Sequence, residues 1–145
     1  YNNLGIVAIY ENDYAEAEKL FSHAKKLGLN TNYNEGVIHI NKGNYDKAVK
    51  LMTKDNPNCD YNIALAQTMD KKYTVAEETV SCLEENGKTL YLHAVIASRT
   101  NNIDKAIKHL AKAIKKDPKL KNKAKNDMEF AYLQDNSEFM ALVKP

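Results

Sequence analysis

The chain has 145 residues, 43% of them hydrophobic and 28% charged, with a formal net charge of +2. That balance excludes a disordered tail and leaves enough chain to bury a real core. No apolar stretch approaches the roughly 20 residues that a membrane-spanning helix needs, and five Gly and three Pro are too few breaks for a many-stranded sheet.

In chain order, Leu4-Gly5-Ile6-Val7-Ala8-Ile9-Tyr10 reads as an apolar helix that stops at Glu11-Asn12-Asp13. With no initiator Met ahead of Tyr1, the chain reads as an excised piece of something longer. A second helix is predicted from about Tyr14 to Lys26, with Ala17, Leu20, Phe21, Ala24 and Leu27 at helical spacing and Gly28 as its C-terminal cap. Thr31 to Lys54 repeats the arrangement. Gly36 matches Gly5, Tyr45 matches Tyr14, Ala48 matches Ala17 and Met52 matches Phe21, and Asp55-Asn56-Pro57-Asn58 closes a short second helix. A third copy has Ala64 at the small position, then Tyr73, Ala76 and Val80, and ends in a predicted turn at Asn86-Gly87. A fourth has Ala94, Ile103, Ala106, Leu110 and Ala113, closed by Asp117-Pro118. Lys119–Leu133 is predicted as one further helix and Ser137–Val143 as a last short one. Their Phe130, Leu133, Phe139, Leu142 and Val143 are available to cover the final interface.

An apolar residue three positions before an alanine returns at Tyr14/Ala17, Tyr45/Ala48, Tyr73/Ala76 and Ile103/Ala106. A period of about thirty residues marks stacked helix pairs, whose end units must hide a face that inner units bury against a neighbour. The expected architecture is therefore an all-α solenoid of antiparallel helix pairs. It has about four repeats, at 1–30, 31–57, 58–87 and 88–118, followed by capping helices at 119–145.

Charge is uneven: residues 1–103 carry eleven basic and thirteen acidic side chains, residues 104–145 ten basic and six acidic. The excess is a lysine run from Lys105 to Lys125, read as a solvated helix face. Nucleic acid is not an expected partner, because Arg99 is the chain's one arginine and Arg is the side chain best suited to bidentate phosphate contact. Cys59 and Cys82 cannot by themselves make a four-ligand metal site. Antiparallel packing would bring them near enough for a disulfide closing a 24-residue loop, but two reduced, partly buried thiols are the expectation.

Tyr33-Asn34-Glu35-Gly36 and Tyr61-Asn62-Ile63-Ala64 resemble the first helix of a tetratricopeptide (TPR) repeat. Ala106-Ile107, Leu110, Ala113-Ile114 and Asp117-Pro118 resemble its second helix and exit. The resemblance covers residues 1–118 and implies a right-handed superhelix, although these units are shorter than the family's standard 34 residues. Asp127-Met128-Glu129-Phe130 with Glu138-Phe139 is similar to the end of such arrays in bacterial envelope proteins. That favours a periplasmic or envelope location over a cytoplasmic one.

In this family the first helices line a concave groove. The resemblance therefore implies a ladder of Tyr33, Tyr61 and Tyr91. Val37, Leu65 and Val95 follow one helical turn on, with Asn41, Met69 and Arg99 beyond them. Such a groove would hold an extended peptide or a helix. The family's carboxylate clamp uses Lys, Asn and Arg on consecutive first helices. This chain has Asn2, Ile6, Asn34, Asn58 and Asn62 at those positions, of which only Asn34 matches, and with no Lys or Arg there a chaperone-tail ligand is rejected. Asn34 and Asn62 are expected to bond backbone near the repeat junctions.

Catalytic and cofactor chemistry is not expected: no Ser–His–acid spacing, Gly-rich phosphate loop or metal motif is found in the sequence. His23, His39, His93 and His109 read as ordinary surface or interface residues. Glu77-Glu78 and Glu84-Glu85 each lie on one helix with no facing partner. The expected function is a non-catalytic scaffold for a protein or peptide partner. The alternative is an assembly module that contacts other domains of a larger envelope protein and takes no free ligand.

Overall fold

A computed structural model describes residues 1–55 and 59–145. The chain divides into two compact units, Tyr1–Lys72 and Tyr73–Pro145. The first holds α1 (Asn2–Tyr10), α2 (Tyr14–Lys26), α3 (Asn32–Asn41), α4 (Tyr45–Met52) and α5 (Tyr61–Met69). The second holds α6 (Tyr73–Ser81), α7 (Gly87–Arg99), α8 (Ile103–Lys116), α9 (Leu120–Asn126), a 3-10 helix (Met128–Leu133) and α10 (Ser137–Val143).

One turn recurs after each first helix. Asn12, Gly43, Lys71 and Asn101 all take left-handed backbone, at φ 61°, 76°, 62° and 58°. Around each, two backbone N–H groups turn back onto carbonyls of the last helical turn, as Gly43 N to Ile40 O (3.0 Å) and Asn44 N to His39 O (2.8 Å) do after α3. This is the bonding that ends a helix while satisfying its orphan carbonyls. The next residue begins the second helix, and Asp13 and Asn102 cap α2 and α8 by accepting from Glu16 N and Lys105 N.

Within the first unit α1 packs on α2 and α3 on α4, with α5 against α4; in the second, α7 packs on α8. The backbones come close where the side chains vanish. A methyl on Gly5 would lie 2.5 Å from the Phe21 ring. One on Gly36 would collide with Met52 Cγ, 2.9 Å from its Sδ and 3.3 Å from the Ala48 carbonyl. Phe21 and Met52 are fully buried, as are Ala17 and Ala48. The core of the second unit gathers Leu90, Tyr91, Val95, Leu110, Ile114, Phe130, Leu133, Phe139 and Val143. The capping helices thus cover α7 and α8 with the residues expected for it. Lys108, Lys112, Lys115 and Lys116 stand on the exposed face of α8, a solvated basic surface.

Four details differ from expectation. The helix predicted over Lys119–Leu133 is broken at Asp127, whose extended backbone (ψ 125°) lets its carboxylate accept from Glu129 N and start the 3-10 helix. Asn86-Gly87 is a helix start rather than a free turn: Asn86 caps α7, exchanging bonds with Thr89, and Gly87 is its first residue. The cysteines are not reduced, because Cys59 and Cys82 are each disulfide-bonded. Of the stop predicted at Asp55-Asn56-Pro57-Asn58, residues 56–58 lie outside the described residues.

Replacing Gly36 by Ala forces Met52 out of a packed position and should destabilise the protein by about 1–3 kcal/mol, the usual cost of overpacking. Urea denaturation read by far-UV circular dichroism measures this. An unchanged midpoint would mean that α3 and α4 are not held at the close distance described.

Candidate partner-binding cleft

In the first unit, α1 and α3 line an open cleft of about 470 Å³. Ile6, Ile9 and Val37 supply its apolar wall and Tyr10 stands at its edge, 83% exposed. Asn12, Tyr33, Asn34, Asn41 and Asn62 supply amides and a phenol, so every lining side chain is uncharged. Of the residues expected in a groove, Tyr33, Val37 and Asn41 are brought together here. Tyr61, Leu65 and Met69 lie on α5, half-buried, and do not line this cleft.

The polar groups of the cleft are largely used by the fold. The Tyr33 hydroxyl donates to the Asp60 carboxylate (Oδ2 2.9 Å, Oδ1 3.0 Å) and accepts from Asn62 Nδ2 at 3.0 Å. Asp60 is itself the N-cap of α5, accepting from Ile63 N. Asn34 Nδ2 donates to Asn2 Oδ1 at 3.0 Å. Contrary to expectation, then, Asn34 and Asn62 bond side chains of neighbouring helices and not backbone. Their amides reach across because successive first helices lie side by side. Asn41 is exposed and donates to the Val37 carbonyl of its own helix.

In the second unit the corresponding residues are covered. Tyr91 is 6% exposed, and its hydroxyl donates to Asp127 Oδ2 at 2.6 Å. The ring meets Phe130 edge-on at 5.7 Å, with Lys123 Nζ 4.5 Å from its centroid. Val95 is buried in the same core. Arg99 clasps the Glu129 carboxylate through Nε (3.0 and 3.1 Å) and Nη2, while Ser98 Oγ donates to the Glu129 carbonyl at 2.7 Å. The capping segment 127–132 therefore occupies the face on which Tyr91, Val95 and Arg99 were expected to meet a ligand.

The sequence reading missed one cluster entirely. Glu77 does have facing partners, because α6, α7 and α8 bring it together with His93, His109 and Lys105. Equal spacing of Glu77, His93 and His109 along the chain was the available clue.

Helix pairing, the repeated left-handed turn and the covering helices define the class of this protein as all-α, built of TPR-like antiparallel helix pairs with capping helices. Residues 29–54 and 87–120 match the family model described as tetratricopeptide repeat. No curated protein and no solved structure matches the chain.

Burial, reinforced by the Asp60 carboxylate and opposed by the Asn62 amide, pushes the Tyr33 phenol from 10.0 up to about 12. A raised pKa means that the neutral phenol is favoured in the fold. Its contribution is therefore complete below pH 10 and lost as pH rises through 12. Tyr33→Phe should cost about 1–2 kcal/mol at neutral pH and flatten the loss of stability between pH 10 and 12. It should also remove one late-ionising tyrosine from the alkaline absorbance titration. A variant whose titration matches the parent protein would refute the Tyr33–Asp60 bond.

Proposed function

We propose that this protein is a non-catalytic scaffold that holds an uncharged, apolar peptide segment of a protein partner in the cleft between α1 and α3. The observation that carries the reading is a solvent-open cleft whose lining combines Ile6, Ile9 and Val37 with exposed Asn41 and Tyr10, and no charged side chain. Apolar wall and peripheral amide or phenol groups are the combination that binds a peptide by side-chain burial and fixes it by a few hydrogen bonds. Tyr33 serves the reading as part of the cleft floor, its hydroxyl already engaged. Two disulfide-bonded cysteines fit an oxidising compartment, which agrees with a periplasmic or envelope location.

The second reading, an assembly module contacting sister domains, draws on a different surface. Leu4 and Val7 of α1 are 58% and 50% exposed, apolar area suited to a permanent neighbour.

Panning a phage-displayed peptide library on the immobilised protein, followed by fluorescence anisotropy of the recovered peptides, tests the proposal. Binding should persist as salt is raised, since it is not electrostatic. It should weaken by at least about tenfold, or 1.4 kcal/mol, in Val37→Glu and Tyr10→Ala. Recovered peptides that bind both variants unchanged but lose affinity to Leu4→Glu/Val7→Glu would sink the cleft in favour of the α1 surface.

A further inference from the structure

Glu77 on α6, His93 on α7 and His109 on α8 converge within the second unit. Each offers one ligand atom, and these atoms all lie within 4.8 Å of one another. The two imidazoles stack, with centroids 4.8 Å apart and planes 13° from parallel. His93 Nδ1 comes within 3.2 Å of Glu77 Oε1, and Lys105 Nζ sits 2.7 Å from that same oxygen. Glu77 Oε2, His93 Nδ1 and His109 Nδ1 are left buried without a hydrogen-bond partner.

Leaving one buried polar atom unsatisfied costs about 1–3 kcal/mol, and native proteins leave few. Three such atoms, one on each of three residues whose ligand atoms converge within 4.8 Å, are a constellation that an ion would satisfy. We propose that Glu77, His93 and His109 form a binding site for a divalent transition-metal ion of the zinc class, linking α6, α7 and α8. Two imidazoles and one carboxylate are a donor set zinc accepts, with the fourth tetrahedral position left for water or for a donor from a partner.

The protonation states agree with this. Burial, aided by the nearby His93, pushes the His109 imidazole below its ordinary value and so toward the neutral, ligating form. Contact with His93, then with Lys105, outweighs burial and holds the Glu77 carboxyl at about 2, ionised at neutral pH. Ligand atoms around zinc lie about 2.0–2.2 Å from the ion, so each donor must move inward by somewhat under 1 Å. Both rings must also turn about their Cβ–Cγ bonds until their planes meet at the ion. Lys105 competes for Glu77, but its side chain is 43% exposed and free to swing into water, while Oε2 remains for the ion.

The test uses the intact chain, dialysed against chelator and kept free of reductant so that no thiol competes. Zinc chloride titrated calorimetrically should bind at one equivalent. Cobalt(II) should give the intense visible absorption of a tetrahedral site, and zinc should raise the thermal midpoint until EDTA reverses it. His93→Gln, His109→Gln and Glu77→Gln, each checked for native circular dichroism, should weaken zinc binding by at least about 100-fold, since even outer partners of metal sites contribute about 10–100-fold. Lys105→Met should tighten it, and His23→Gln/His39→Gln should leave it unchanged. Should one ligand variant fail to fold, the other two and Lys105→Met still decide the matter. Absence of saturable binding overturns the site, as does zinc binding that survives in His109→Gln and Glu77→Gln but disappears in His23→Gln/His39→Gln.

Discussion

Close approach of paired helices is the constraint on which the rest of this structure depends. It is achieved by placing a small residue on each member of a pair, twelve positions apart: Gly5 with Ala17, Gly36 with Ala48, Ala94 with Ala106. Two antiparallel helices meet at one level where their residues are equidistant from the turn, and the left-handed residue at Asn12, Gly43 or Asn101 sits near that midpoint. Turn and contact therefore define each other. A turn one residue longer would rotate the second helix by about 100° and bring Glu16, Lys47 or Lys105, not an alanine, into the space between. Phe21 and Met52 then fill the volume beside the small pair. This is why the pairs tolerate no methyl on Gly5 or Gly36 and why burial is complete around residues with so little side chain.

The second recurring device joins one first helix to the next. Tyr33 reaches Asp60 in the first unit, and Tyr91 reaches Asp127 in the second. In both cases the acceptor is a helix N-cap, so one carboxylate ends a run of orphan amides and also anchors the phenol of the preceding repeat. The 3-10 helix at Met128–Leu133 stands to α7 as α5 stands to α3, which explains why the capping segment docks where a ligand was expected. Arg99 gripping Glu129 strengthens that docking with a charge-assisted, bidentate pair. The consequence is an asymmetry between the units: the face of α7 is filled by the chain's own cap, while the face shared by α1 and α3 remains open.

Much of this was legible in the sequence because it rests on local patterns. Tyr14/Ala17 and its echoes announce the pairs, Gly28 and Asp117-Pro118 announce ends, and Phe130, Leu133, Phe139 and Val143 announce a cap. Registering helices on their small residues puts Tyr33, Val37 and Asn41 on one face of α3, and these three line one cleft. What the pattern could not carry was the use of each polar group. Tyr91 is spaced like Tyr33, yet whether a phenol faces solvent or a cap depends on Asp127, 36 residues on. The break at Asp127 was equally hidden, since Leu120–Leu133 has adequate helical propensity. Tertiary bonds from Tyr91, Ser98 and Arg99, together with the Asp127 cap on Glu129 N, favour an interrupted chain there.

The Glu77–His93–His109 cluster follows from the same geometry that makes the pairs. His93 and His109 lie equally far on either side of the left-handed Asn101, so antiparallel packing of α7 on α8 sets them level. Glu77 and His93 flank the loop before α7 in the same way. Ligand motifs recognisable in sequence, such as two histidines one helical turn apart, place donors on a single helix. A repeat protein has another route, spacing donors by half its period so that consecutive helices each present one. The scaffold that approximates α6, α7 and α8 therefore supplies the convergence without any local signature, and a search by short motif passes over it.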